Sequence, residues 1–68
     1  MERFTLIGVD GNAFAIMGYT ARALKRVGLS DKVDEMYEKA KSGNYYQLIA
    51  TCDEYIAMAN KELARKGE

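Results

Sequence analysis

The side chains best suited to covalent chemistry are scarce in this sequence. It has 68 residues, with one cysteine, Cys52, and no histidine. A cysteine attacks a substrate as the thiolate, and in many enzymes a histidine generates that thiolate. Cys52 also falls on the apolar stripe of a predicted helix, which is typical of a buried core residue. The sequence therefore predicts no catalytic residue, no internal disulfide and a protein that is not an enzyme.

Two groups of oxygen-bearing side chains can in principle bind a metal ion. Asp10-Gly11-Asn12 resembles the start of a calcium loop, but further ligands and a closing glutamate at fixed spacing are missing. Four carboxylates lie near the start of a predicted helix, where the helix dipole favours them. They are Asp31, Asp34, Glu35 and Glu38. We expect a capping turn and a solvated acidic face, with no metal and no cofactor.

The basic residues form one cluster in the first half of the chain. Arg22, Lys25 and Arg26 follow Tyr19 on much the same helical face. Two interpretations stay open, because these cations can contact an anion or can complement the helix dipole. Ten basic residues balance ten acidic ones, which counts against nucleic acid and against an anionic membrane surface as partners.

The sequence shows neither a membrane-spanning segment nor a signal peptide, and these two features decide the predicted location of the protein. No apolar run is long enough to span a membrane, and the first residues lack the pattern of a signal peptide. A lone cysteine, expected to be reduced, suits the cytoplasm. We therefore expect a cytoplasmic protein.

The N-terminal region offers two interpretations at the turn Asp10-Gly11. Residues 4–9 are apolar and rich in β-branched side chains, which predicts a β-strand. The turn can lead into a second strand over residues 13–17, as in a hairpin. The apolar spacing instead favours a helix over residues 13–27, with Asn12 as the N-cap and Gly28 as the stop.

Two further helices follow. Ser30 is expected to cap a helix over residues 31–41, and Gly43 to stop it. Asn44 and Gln47 have the spacing of a capping box at the start of a helix over residues 45–66. The core of the helices is expected to contain Phe14, Met17, Leu24, Leu48, Cys52 and Ile56.

The predicted fold class is mainly α, a short N-terminal strand followed by three helices in one small domain, residues 1–68. A lone strand needs a partner for its backbone groups. It can pair with the same strand of a second subunit, or it can lie over the helices as an extended arm. The chain is near the lower size limit for independent folding, which favours a homodimer.

Candidate interaction residues come from three features. The predicted strand contributes Phe4, Leu6 and Ile7. Gly18, together with Ala15, leaves a notch in the first helix where another backbone can approach closely. Surface aromatic and basic side chains contribute Tyr19, Arg22 and one of the adjacent tyrosines, Tyr46.

Three segments of this sequence carry a resemblance to known proteins: Leu6-Ile7-Gly8-Val9-Asp10-Gly11-Asn12-Ala13-Phe14-Ala15-Ile16-Met17-Gly18, Ala23-Leu24-Lys25-Arg26-Val27-Gly28 and Ser42-Gly43-Asn44-Tyr45. They resemble a family of small, uncharacterised bacterial and phage proteins. The resemblance implies a short apolar strand, an Asp-Gly-Asn-Ala-Phe turn and a helix that ends in a basic pair and a glycine. It implies no activity and no catalytic residue.

The sequence thus predicts a small non-enzymatic protein, an interaction or regulatory module that binds an unknown protein partner. An alternative is a DNA-binding regulator similar to the ribbon-helix-helix fold, in which strands from two subunits pair and enter the major groove. Only Arg3 and Thr5 are polar on the strand face that would have to contact bases.

Overall fold

Three helices make up most of the computed structural model, which describes residues 3–66. Helix α1 covers Ala13–Arg26, α2 covers Val33–Lys41, and α3 covers Tyr45–Lys66. A single 3₁₀ turn, Ser30–Lys32, leads into α2. The long helix α3 packs against both α1 and α2, and the apolar core lies between the three. The mainly helical prediction is therefore confirmed, with boundaries within two residues of those expected.

Both ends of α1 are set by local residues, as predicted. The Asn12 side chain accepts hydrogen bonds from the amides of Phe14 and Ala15, at 2.8 and 3.2 Å. At the other end Gly28 adopts φ +81°, a conformation that favours glycine. The Gly28 amide donates to Lys25 O and the Leu29 amide to Leu24 O, at 3.1 and 2.8 Å. This pair of bonds is a Schellman motif, which satisfies carbonyls at the helix end.

The start of α3 is a complete capping box. The Gln47 amide donates to Asn44 Oδ1 and the Asn44 amide donates to Gln47 Oε1, both at 2.9 Å. The predicted box is thus confirmed. Ser30 does not cap α2 as predicted, because it lies inside the 3₁₀ turn and the helix begins at Val33 with Lys32 at its N-cap.

The core contains most of the expected residues, with one error. Met17, Leu24, Leu48, Cys52 and Ile56 are buried, as predicted. The remaining buried apolar residues are Ile16, Ala21, Ala23, Val27, Val33, Met36, Ala40, Tyr55 and Ala59.

Phe14 was predicted to be buried, but 80% of its surface is exposed. The buried face of α1 is centred near Thr20, a polar residue that the apolar pattern does not include. Thr20 is fully buried because its hydroxyl donates to Ile16 O at 2.9 Å. Because the buried face is centred near Thr20, Phe14 lies at the edge of this face. Phe14 is also in the first turn of α1, where few core residues are near enough to cover it.

The predicted N-terminal strand is wrong, because residues 3–66 contain no β-strand. Residues 6–9 form a turn in which the Val9 amide donates to Leu6 O at 3.1 Å and Gly8 adopts φ +87°. Residues 3–12, hereafter the N-terminal arm, lie over α1 and α3, the second alternative from the sequence. The side chains of Asn60 and Tyr19 supply the hydrogen bonds that a strand partner would have supplied.

Two expectations depended on the predicted strand and are affected by its absence from residues 3–66. Pairing of identical strands between two subunits loses its structural basis, and so does the ribbon of the ribbon-helix-helix comparison. The hairpin over residues 13–17 is also absent, since these residues belong to α1.

Gly18 does not hold a close backbone contact in the described chain. A Cβ atom at this position would meet only Arg22 Nη1, at 3.5 Å, which is an ordinary van der Waals distance. Glycine within a helix is less favourable than alanine by about 1 kcal/mol. We therefore expect Gly18→Ala to stabilise the protein by roughly 0.5–1 kcal/mol in urea unfolding. A loss of stability would instead show that the position tolerates no side chain.

Candidate functional site

A groove between the N-terminal arm, α1 and α3 brings together three arginines, Arg3, Arg22 and Arg26. Its volume is about 660 Å³. Arg22 and Arg26 lie on one face of α1, four residues apart, and Arg3 comes from the arm. We name this feature the arginine groove; its lining residues are Arg3, Phe4, Tyr19, Arg22, Ala23, Arg26 and Leu63.

The arm that carries Arg3 and Phe4 is held by a side-chain clamp. The Phe4 amide donates to Asn60 Oδ1 at 2.7 Å, and Asn60 Nδ2 donates to Phe4 O at 2.9 Å. The Thr5 amide donates to the Tyr19 hydroxyl at 3.0 Å. One amide side chain on α3 therefore satisfies both backbone groups of Phe4, as a neighbouring strand would do.

The groove combines positive charge with apolar surface. Ala23 is buried, and Phe4, Tyr19 and Leu63 are partly buried against the core. Arg22 and Arg26 are exposed. The groove thus offers planar hydrogen-bond donors beside an apolar floor, an arrangement found in ligand sites.

No carboxylate within residues 3–66 neutralises these arginines. The one ion pair among those residues joins Arg65 to Glu62, through two hydrogen bonds of 2.7 Å. Glu62 precedes the groove residue Leu63, but its carboxylate is engaged by Arg65. Like charges four residues apart on a helix repel each other, so Arg22 and Arg26 favour an anion between them.

Three of the seven predicted interaction residues meet in this groove. They are Phe4, Tyr19 and Arg22. Gly18 directly precedes Tyr19 on α1, and the Arg22 side chain covers it. Leu6 packs against the core, whereas Ile7 is 89% exposed at the turn of the arm.

Tyr46 lies at the start of α3 and is not part of the groove. It is 80% exposed, as expected for one of the two adjacent tyrosines. Its ring meets that of Tyr45 edge-on, with centroids 6.1 Å apart. The Tyr45 hydroxyl donates to Gly11 O, which joins the start of α3 to the start of α1.

Sequence reasoning missed three contributors to the groove. Arg3 was placed on the face of the predicted strand, and neither Leu63 nor Asn60 was among the candidate interaction residues. The clamp joins residues 56 positions apart, so no local pattern indicates it. Lys25, which belongs to the same basic cluster, does not line the groove.

Cys52 is fully buried, as the sequence predicts. Burial raises the pKa of its thiol, although a hydrogen bond with Thr20 acts in the opposite direction. The thiol form is therefore favoured. Among residues 3–66, no group of three or more cysteine or acidic side chains is arranged to hold a metal ion.

Comparisons with known proteins found no relative of this chain. No family model, no curated protein and no solved structure matches this chain. The resemblance to small bacterial and phage proteins stays a prediction. Within residues 3–66, none of the helices has the combined length and apolar character needed to cross a membrane.

The side-chain clamp between Asn60 and Phe4 can be tested by substitution of Asn60. We expect Asn60→Ala to release the arm, because both hydrogen bonds to Phe4 are lost, and to reduce stability by about 1–3 kcal/mol. Hydrogen exchange at the amides of Phe4 and Thr5 should become faster. Asn60→Gln is the matched control, since its side-chain amide keeps both a donor and an acceptor and adds no charge. Unchanged exchange in Asn60→Ala would contradict the clamp.

Proposed function

We propose that this protein is a non-enzymatic interaction module that binds a protein partner through the arginine groove. The observation that carries the proposal is the set of three arginines around an apolar floor, with no carboxylate among residues 3–66 to neutralise them. Arginine and aromatic side chains are enriched where proteins bind each other. The cytoplasmic location expected from the sequence is compatible with such a module.

A second depression on the surface differs in charge. It lies beside the turn between α2 and α3, with a volume of about 430 Å³. Lys39 and Glu54 both line it, so its charges balance. The arginine groove is therefore the better candidate for a charged partner.

Affinity capture with matched variants tests the proposed function. Arg22→Gln/Arg26→Gln removes two groove charges, whereas Lys25→Gln/Lys61→Gln removes two exposed charges outside the groove. We expect one partner to be retained by the native protein and by the lysine variant, but lost with the arginine variant. Calorimetry with that purified partner should then reproduce the difference. A partner that binds both variants equally would contradict the assignment of the groove.

Self-association is a separate proposal, now without the strand as its interface. The small size of the chain and the exposed Phe14, Tyr46 and Ile7 support it. Sedimentation at micromolar concentration provides the test. A mass near 7.6 kDa that does not change with concentration would contradict a homodimer.

A further inference from the structure

We infer that the occupant of the arginine groove is an acidic peptide segment that carries an apolar side chain between its carboxylates. This inference rests on the proposed function and specifies the partner's chemistry. The groove has two recognition elements, a positively charged rim and an apolar floor, and the partner must complement both.

The charge of the rim selects carboxylates on the partner. Guanidinium groups bind carboxylates through paired hydrogen bonds, and such charge-assisted bonds are stronger than neutral ones. Arg22 and Arg26 are contributed by a rigid helix and Arg3 by the arm. Several acidic residues in succession can therefore be bound along the groove.

The apolar floor selects a side chain as well as a charge. Phe4, Ala23 and Leu63 face the same space as the arginines. An inorganic anion leaves this surface in contact with water, whereas a leucine or phenylalanine flanked by acidic residues covers it. A volume of about 660 Å³ is large enough for more than one side chain.

Two other occupants fit the observations less well. Nucleic-acid binders normally have an excess of basic residues, and this chain has a net charge of zero. A second copy of the chain can offer its own acidic helix α2, with Asp31, Asp34 and Glu38 in or before it. That contact would pair two different surfaces, so it closes only if it forms twice about a twofold axis or if the rotation gives a ring.

Asn60 on α3 acts as a positioning residue for the site, because it holds the arm in place. Asn60 does not line the groove, but it fixes the backbone of Phe4 next to Arg3. Asn60→Ala should therefore weaken peptide binding without removing any charge from the groove. Asn60→Gln, which keeps an amide donor and acceptor and adds no charge, should restore part of the affinity.

In the test, the 68-residue protein is titrated with short synthetic peptides, and fluorescence anisotropy and amide chemical shifts are followed. The probe has the sequence Gly-Asp-Glu-Leu-Asp-Glu-Gly, and its controls replace leucine with glycine or the acidic residues with lysine. We expect shifts at Tyr19, Arg22, Ala23 and Phe4. Affinity should fall about tenfold or more in Arg22→Gln/Arg26→Gln, but less than about threefold in Lys25→Gln/Lys61→Gln.

Other outcomes would overturn the inference in distinguishable ways. Equal affinity for the leucine and glycine peptides, or tighter binding of duplex DNA, would show that the groove binds polyanions through charge alone. Self-association that depends on Arg22 and Arg26 would identify a second copy as the occupant. If no acidic peptide binds, but a captured partner still requires both arginines, the inference fails and the proposed function stands. If no partner requires them, the proposed function fails as well.

Discussion

Replacing Leu24 with alanine should remove much of the stability of this protein. The Leu24 side chain is completely buried in α1, in the core shared by the three helices. Truncation of a buried leucine costs about 2–5 kcal/mol, because transfer free energy is lost and a cavity remains. A domain of this size has a total stability of roughly 3–10 kcal/mol. Urea unfolding should therefore show a large decrease in the midpoint concentration.

Phe14 provides the matched control on the same helix. Its side chain is larger than that of leucine, but it is 80% exposed. We expect Phe14→Ala to change stability by less than about 0.5 kcal/mol. If Phe14→Ala costs as much as Leu24→Ala, Phe14 is buried in solution, for example in a self-associated form, and the effect should then depend on protein concentration.

Local signals predicted the helices well because helix ends depend on nearby residues. Asn12, Gly28 and the pair Asn44 and Gln47 act within one turn of their own helices. Their spacing is visible in the sequence, and the structure places them as expected. The same locality explains why Phe14 was misassigned. Periodicity identifies an apolar face, but its centre is set by contacts with α3 and by the buried hydroxyl of Thr20.

The arm and the arginine groove depend on contacts between distant residues. A run of apolar and β-branched residues predicts a strand only if a partner strand is available. Here Asn60 and Tyr19 satisfy the arm's backbone without a strand. The sequence pattern identified Arg22 and Arg26 as a basic cluster. It did not indicate that Arg3 would join them, because the arm's path depends on α3.

Tyr55 is the largest fully buried side chain among residues 3–66. Its hydroxyl donates to Glu35 Oε2 at 2.5 Å, which joins α3 to α2. Truncation in Tyr55→Ala should cost about 3–5 kcal/mol, as for other buried aromatic residues. Tyr55→Phe keeps the ring and should cost clearly less than Tyr55→Ala, because only the hydrogen bond to Glu35 is lost. Tyr46→Phe makes the same change at an exposed tyrosine and should have little effect.

The Tyr55–Glu35 pair should also make stability depend on pH at both ends of the range. Burial, followed by the hydrogen bond to Glu35, raises the pKa of Tyr55 from 10.0 to about 12. Between these values the folded protein binds more protons than the unfolded chain, so this contribution is complete below pH 10 and is lost as the pH rises towards 12. The hydrogen bond from Tyr55 lowers the pKa of Glu35 below 4.5. The contribution of Glu35 to stability is present above pH 4.5 and is lost as the pH falls through the lowered pKa.

The test is urea unfolding of the native protein and of Tyr55→Phe at neutral, alkaline and acidic pH. The difference in stability between the two proteins should shrink towards both extremes. A difference that stays constant with pH would contradict the hydrogen bond between the two side chains.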